Sequence, residues 1–265
     1  MYNVIRSQNF QTLRDYPTYI IPSIFLAWNI LIYCGTLSDY GLTPSGSLWM
    51  LNMISGITFT AALFSIYYSW RICGWDLSDK AINNEIVSGT KRSAVYFGRF
   101  IPALLWSIAV YAAVVILSTL FITAVWGFSA FMHPKGAVIR CLLLLIPIFR
   151  YVCVTAALNM ATLDNRLSAV LAGLYPLIEI FADDTDKKSL VLDGLMVTRT
   201  AERFADTSLK SFEYVDTGDG VFRDITVLQE TLTFSDGLTI SLISVGASVI
   251  ILIAGFLIFR KRDLK

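Results

Sequence analysis

Two ionisable residues stand inside otherwise apolar sequence and raise the first chemical question. Arg150 lies midway along the run Val138–Ala161, and Glu179 lies in the run Leu167–Ala182. A charge at the bilayer centre costs about 2.5–3.5 kcal/mol on insertion scales, so such groups usually turn inward and find partners. If the turn between the runs centres between Asp164 and Asn165, each charge lies 14.5 residues from it. That is about 20 Å along a helix. The expectation is an Arg150–Glu179 ion pair at equal depth on neighbouring helices; the alternatives are that Glu179 reaches the outer surface or that both residues snorkel. Pro147 and Pro176 each precede a charge by three residues. They are read either as kinks that open backbone to a cavity or as plain bends.

Other chemistry is sparse. A phosphate-cradling loop needs G-x-x-x-x-G-K-[ST], and the nearest match, Ser88-Gly89-Thr90-Lys91, has Thr90 where the second glycine belongs. No nucleotide site is expected. The stretch DDTDKKSLVLDG lacks the glycine and terminal Glu spacing of a calcium loop. The single histidine, His133, has no Cys or Asp cluster beside it, and Cys34, Cys73, Cys141 and Cys153 lie in or beside apolar runs as small hydrophobes. No metal site is expected. Neither paired intramembrane acids, HExxH nor a Ser/Lys dyad is present, so an enzyme is not the expectation. A net charge of +1 gives no basic field for nucleic acid.

These residues must be positioned by apolar elements. The chain is 55% hydrophobic and 15% charged, with a mean hydropathy of +0.63, too apolar for an ordinary soluble domain. Six runs approach the ~20 residues that a spanning helix needs: Tyr19–Leu37, Leu48–Ile72, Phe100–Phe128, Val138–Ala161, Leu167–Ala182 and Leu238–Phe259. The fifth is the shortest, and Pro176 interrupts it. Lys and Arg gather before the first run, between the second and third, between the fourth and fifth, and in the tail, which puts both termini in the cytoplasm. The loop 183–237 then lies outside, with six basic and twelve acidic residues. Within it, Thr217-Gly218-Asp219-Gly220 separates two partly alternating runs, as in a β-hairpin. Residues 1–18 carry Val4, Ile5, Phe10 and Leu13 among polar residues before Pro17, the pattern of a short interfacial helix. The expected fold is an all-α integral membrane protein: six transmembrane helices, both termini cytoplasmic, an amphipathic N-terminal interfacial helix, and a large extracellular loop between helices five and six.

The polar segment 76–99 sits between the second and third runs. Leu77, Ala81, Ile82 and Ile86 recur at helical spacing, Asp76 and Asp79 fall in the first turn, and Ser88-Gly89 supplies a stop. A short amphipathic helix leading into a basic junction is one reading; a solvated loop with basic flanks is the other. The pattern INNEIVSGTKRSAVYFGRF resembles the cytoplasmic segment of ABC-2 type permeases, in the branch that exports bacitracin, lantibiotics and toxin peptides. The residues that carry it are Ile82, Asn84, Gly89, Arg92, Val95-Tyr96 and Arg99. The tail FLIFRKRDLK is similar to that family's ending through Phe259, Arg262 and Asp263.

The resemblance implies that residues 1–265 form one permease domain of an ATP-driven exporter in the bacterial plasma membrane. The chain itself would bind no cofactor. ATP and Mg would sit on a separate ATPase subunit, two per complex, and a second permease subunit, identical or related, would complete the pathway in the lipid bilayer. Coupling to the ATPase would fall to Leu77, Asp79, Ile82, Asn84, Glu85, Ile86, Gly89 and Arg92, with Ile82 and Ile86 as apolar anchors and Glu85 and Arg92 at the rim. The cargo would be an amphipathic peptide or drug, along a pathway edged by Asn29, Asn52, Trp70 and Trp106. A membrane receptor, sensor or scaffold is the alternative; it would explain the outer loop but leave the segment around Gly89 without a task.

Overall fold

The computed structural model describes residues 1–39, 46, 49, 62–74, 81–127, 134–162, 164–182, 189–205, 212–216, 222–226 and 232–261. They form helices α1 (Tyr2–Arg14), α2 (Pro17–Asp39), α3 (residues 62–74), α4 (Ala81–Val87), α5 (Arg92–Trp126), α6 (Pro134–Leu143), α7 (Leu145–Thr162), α8 (Asn165–Ala182), α9 (Leu190–Leu195), α10 (Val197–Ala205) and α11 (Phe234–Lys261). The described residues are helical apart from short turns and one hairpin, in which β1 (Phe212–Asp216) pairs antiparallel with β2 (Phe222–Thr226), Tyr214 opposite Asp224. Asn52, His133, Leu77, Asp79 and most of the second apolar run lie outside the described residues.

Among the described residues, four segments are long and apolar enough to cross a membrane: Pro17–Gly35, Arg92–Trp126, Val138–Thr162 and Phe234–Lys261. Large apolar side chains such as Trp28, Leu31, Leu120, Phe121, Leu242 and Ile250 are exposed on them. An outward-facing apolar surface of this extent marks a membrane protein. Helix α8 does not join the four. It is 18 residues long and carries Arg166 and Glu179, so it spans about 27 Å against a hydrocarbon core of ~30 Å.

Helix ends follow from local chemistry. The Asp164 carboxylate accepts the Arg166 and Leu167 amides at 2.9 and 3.1 Å and caps α8, as short acidic side chains do at helix starts. Helix α11 has Asp236 in its first turn and Arg260 and Lys261 in its last, the arrangement that the helix dipole favours. Pro22 lies within α2. Proline has no N–H and clashes with the carbonyl four residues back, which here is Thr18, and the Tyr68 hydroxyl donates to that carbonyl at 2.6 Å instead.

The prolines of the charged runs differ from each other. The fourth run breaks at Leu144 between α6 and α7, and the Ile148 amide reaches the Leu144 carbonyl only at 3.5 Å. Pro147, which cannot donate to Leu143, accounts for this break. Pro176 lies inside α8, which continues through it.

Helix α7 is the centre. It is buried nearly all round, at Ile148, Arg150, Tyr151, Val152, Cys153 and Thr155 among others. Helix α11 packs on it so closely that a Cβ on Gly255 would lie 2.6 Å from the Ala157 Cβ. Small residues let helices approach in this way where lipid offers no hydrophobic drive between them. The Tyr96 hydroxyl donates to the Leu252 carbonyl at 2.9 Å and ties α5 to the same pair. Helix α1 crosses the first turns of α5, where Val4 meets Gly98. Its buried residues are Val4, Gln8 and Thr12, while Phe10 and Leu13 remain exposed.

Candidate functional site

The segment around Gly89 builds a latch between three helices. The α4 helix ends in paired bonds: the Thr90 amide donates to the Glu85 carbonyl and the Gly89 amide to the Ile86 carbonyl, both at 3.0 Å. Gly89 sits at φ +94°. This is the helix stop in which a left-handed residue, most often glycine, turns the chain out of the last turn. Arg99 on α5 reaches back to Glu85 with two parallel bonds, 2.7 and 3.2 Å, and its side chain is fully buried. Arg92 opens α5 and donates to the Arg260 carbonyl at 2.6 Å and the Phe259 carbonyl at 3.4 Å. A cation there meets the negative end of the α11 dipole.

The geometry corrects part of the expected docking surface. Ile82 is 1% exposed and belongs to the chain's own core, and Ile86 packs against that core. Glu85 is taken by Arg99, and Arg92 by α11. Among the described residues, Asn84 and Val87 of α4 and the following Ser88 and Gly89 face outward, with Val87 86% exposed. The apolar spacing that suggested anchors for a partner is satisfied inside the protein.

The intramembrane charges meet around a third element. Arg150 donates to the carbonyls of Gly194, at 2.9 Å, and Leu195, the last two residues of α9. Glu179 accepts the Thr198 amide at 2.9 Å and the Thr198 hydroxyl at 3.2 Å, in the first turn of α10. The Tyr175 side chain lies between, close enough to interact with both. No direct Arg150–Glu179 bond occurs among the described residues, which corrects the expected ion pair. The physical reason is helix polarity. A cation settles on carbonyls at a helix C-terminus and an anion on amides at an N-terminus, and the α9–α10 junction presents one of each.

The same unit carries a second charged cluster. Asp193, 3% exposed, accepts Arg203 Nε at 2.9 Å and has Arg199 at 3.5 Å. Thr200 donates to the Asp193 carbonyl at 2.5 Å. Val197, Ala201 and Phe204 are buried against the bundle, and a Cβ on Gly194 would lie 2.7 Å from Ile243 of α11. So the first part of the loop 183–237 folds into the bundle as a helix pair. Sequence reading missed it. The available signal was Arg199 and Arg203, four residues apart and therefore on one helical face, with one acid, Asp193, ahead of them. Asn159 on α7 and Ser168 on α8, 2.5 Å apart, were also missed; such side chains join helices across an apolar interface.

A cavity of about 340 Å³ lies between α2 and α5. Thr18, Pro22 and Leu26 form one wall, and Trp106, Val110 and Leu117 the other. Near its Thr18 end, the Tyr19 hydroxyl donates to the Leu13 carbonyl at 3.1 Å, and Trp106 Nε1 donates to Asn9 Oδ1 at 3.2 Å. These bonds set α1 beside the cavity. Of the residues expected to edge a pathway, Trp106 lines this space, while Asn29 donates to the Phe25 carbonyl of its own helix.

Among the described residues, no three His, Cys, Asp or Glu side chains gather as a metal site would need, and none of the four cysteines forms a disulfide. Comparison with known proteins gives no match to this chain: no family model, no curated protein and no solved structure.

Proposed function

We propose that this chain is the transmembrane subunit of an ATP-driven exporter of the ABC-2 type, with six spans and both termini in the cytoplasm of a bacterial cell. A separate ATPase subunit, two per complex, binds ATP and Mg, and a second permease subunit completes the pathway for an amphipathic peptide or drug. The reading rests on the sequence resemblance at Ile82–Arg99 and on one structural observation. The short helix α4 and the turn after it present Asn84, Val87 and Ser88 outward, and α4 is bonded through Glu85–Arg99 to α5, whose first residue grips the end of α11.

That linkage makes a push on α4 a push on two long helices. Val87 is the apolar contact that a groove on the ATPase takes, and Asn84 and Ser88 supply hydrogen bonds beside it. Ile82, Glu85 and Arg92 transmit rather than dock. Helix α5 is 35 residues long, about 52 Å, against a hydrocarbon core of ~30 Å. Its surplus length carries the latch clear of the lipid.

The test is co-purification of the full chain from its own membrane, scored by ATP hydrolysis. Val87→Glu is expected to remove the hydrolase while leaving the elution of the permease unchanged. Loss of the hydrolase only in Ile82 variants, or no hydrolase with the unaltered chain, would overturn the proposal.

A further inference from the structure

We propose that the cleft between α2 and α5 is a binding site for one acyl chain of an anionic phospholipid, held with its headgroup at the α1 end. This needs only that the helices lie in a bilayer and is independent of the exporter reading.

Size and shape suit a slender occupant. The α5 wall from Trp106 to Leu117 runs about 16 Å, close to half of a ~30 Å hydrocarbon core. The cleft holds about 340 Å³, which suits a single extended chain. Tyr19 and Leu117 are both exposed, so the cleft opens sideways onto the apolar outer surface of α2 and α5, where lipid already lies.

Polarity gives the direction. The polar atoms stand at one end: Thr18, whose buried hydroxyl has no hydrogen-bond partner among the described residues, beside Tyr19, Ser23 and Trp106, which donate to Leu13, Tyr19 and Asn9; the opposite end is Leu26, Val114 and Leu117. The polar end adjoins α1, where Arg6 and Arg14 are exposed. Arg14 follows Leu13, whose carbonyl takes the Tyr19 hydroxyl, and its guanidinium lies 4.2 Å from the centre of the Phe10 ring, with no ion pair among the described residues. Among the described residues, Asp15 is paired with Arg71 and Glu85 with Arg99. A basic surplus at headgroup depth selects a negative phosphate over a zwitterion.

The experiment uses the full chain in phosphatidylcholine vesicles with a minority of phosphatidylglycerol carrying a diazirine midway along one acyl chain. Photolabelled residues are mapped by mass spectrometry, and labelling of the open face of α11 at Leu242 and Ile250 serves as the internal standard. Labelling is expected to concentrate on residues 109–117 and 22–26. Ala113→Trp, which fills the cleft, should lower it there by about tenfold with the α11 signal unchanged. Val110→Phe gives the same readout if Ala113→Trp does not elute as folded protein. Arg14→Gln should abolish the advantage of the labelled phosphatidylglycerol over a phosphatidylcholine with the same chain. Labelling no stronger in the cleft than on α11, cleft labelling that survives both filling variants, equal labelling by the two headgroups with Arg14 intact, or a crosslinked second copy in place of lipid would each overturn the proposal.

Discussion

Arg150 and Glu179 show how the polarity of the backbone chooses partners for buried charges. Arg150 sits on the last carbonyls of α9 and Glu179 on the first amides of α10. Exchanging them puts an acid on carbonyls and a base on amides. Each single change to Gln is expected to cost about 3–5 kcal/mol, as when one partner of a buried charged contact is removed. The double swap Arg150→Glu with Glu179→Arg should remain as damaged as the worse single variant, read as the fraction of folded protein recovered in detergent. Recovery by the swap would restore the direct pair and contradict the structure. At Gly89 the φ of +94° has open space around it, so Gly89→Ala carries only the backbone cost of a left-handed residue, about 1–2 kcal/mol. Thermal unfolding should shift accordingly, whereas Gly255→Ala, with Ala157 at 2.6 Å, should disrupt the α7–α11 contact itself. These residue-level details were partly legible in the sequence. Ser88-Gly89 marks a helix end through the conformational freedom of glycine, and that holds. Equal spacing of two charges from a turn gives their depth but says nothing of a third element that reaches them first.

Among the elements, the α9–α10 pair departs furthest from the sequence-based expectation. A segment counted as outer loop places Asp193, Thr198, Arg199 and Thr200 in buried positions. Its cohesion rests on Asp193 between two arginines. Asp193→Asn removes the carboxylate that Arg199 and Arg203 share and should loosen the pair: backbone amides of 193–204 are expected to exchange hydrogen at least about tenfold faster, while amides of α7 keep their protection. Equal exchange in the variant and the parent would mean that apolar contacts of Val197, Ala201 and Phe204 hold the unit alone. The short, polar sequence of this unit hid it, since six and nine helical residues offer too few turns for apolar periodicity to stand out. The long apolar runs were readable because length against bilayer thickness is a coarse and robust signal. The direction of α4 was not. Its apolar stripe fits equally an external groove and the chain's own core, and Ile82 went to the core.

At the scale of the whole molecule, α7 forms an axis, α11 and α5 pack on it, and both the lead helix and the end of α11 meet the first turns of α5. Force applied at α4 therefore enters where the two long helices α5 and α11 meet. The central claim is that a separate ATP-hydrolysing subunit applies that force. The most direct measurement is ATP hydrolysis by the complex isolated with the full chain, compared with the same preparation carrying Val87→Glu. The account predicts hydrolysis that co-elutes with the unaltered chain and is lost from the variant while the variant still elutes as folded protein. Hydrolysis that stays with the Val87→Glu chain, or an unaltered chain that transports with no hydrolase bound, would contradict it.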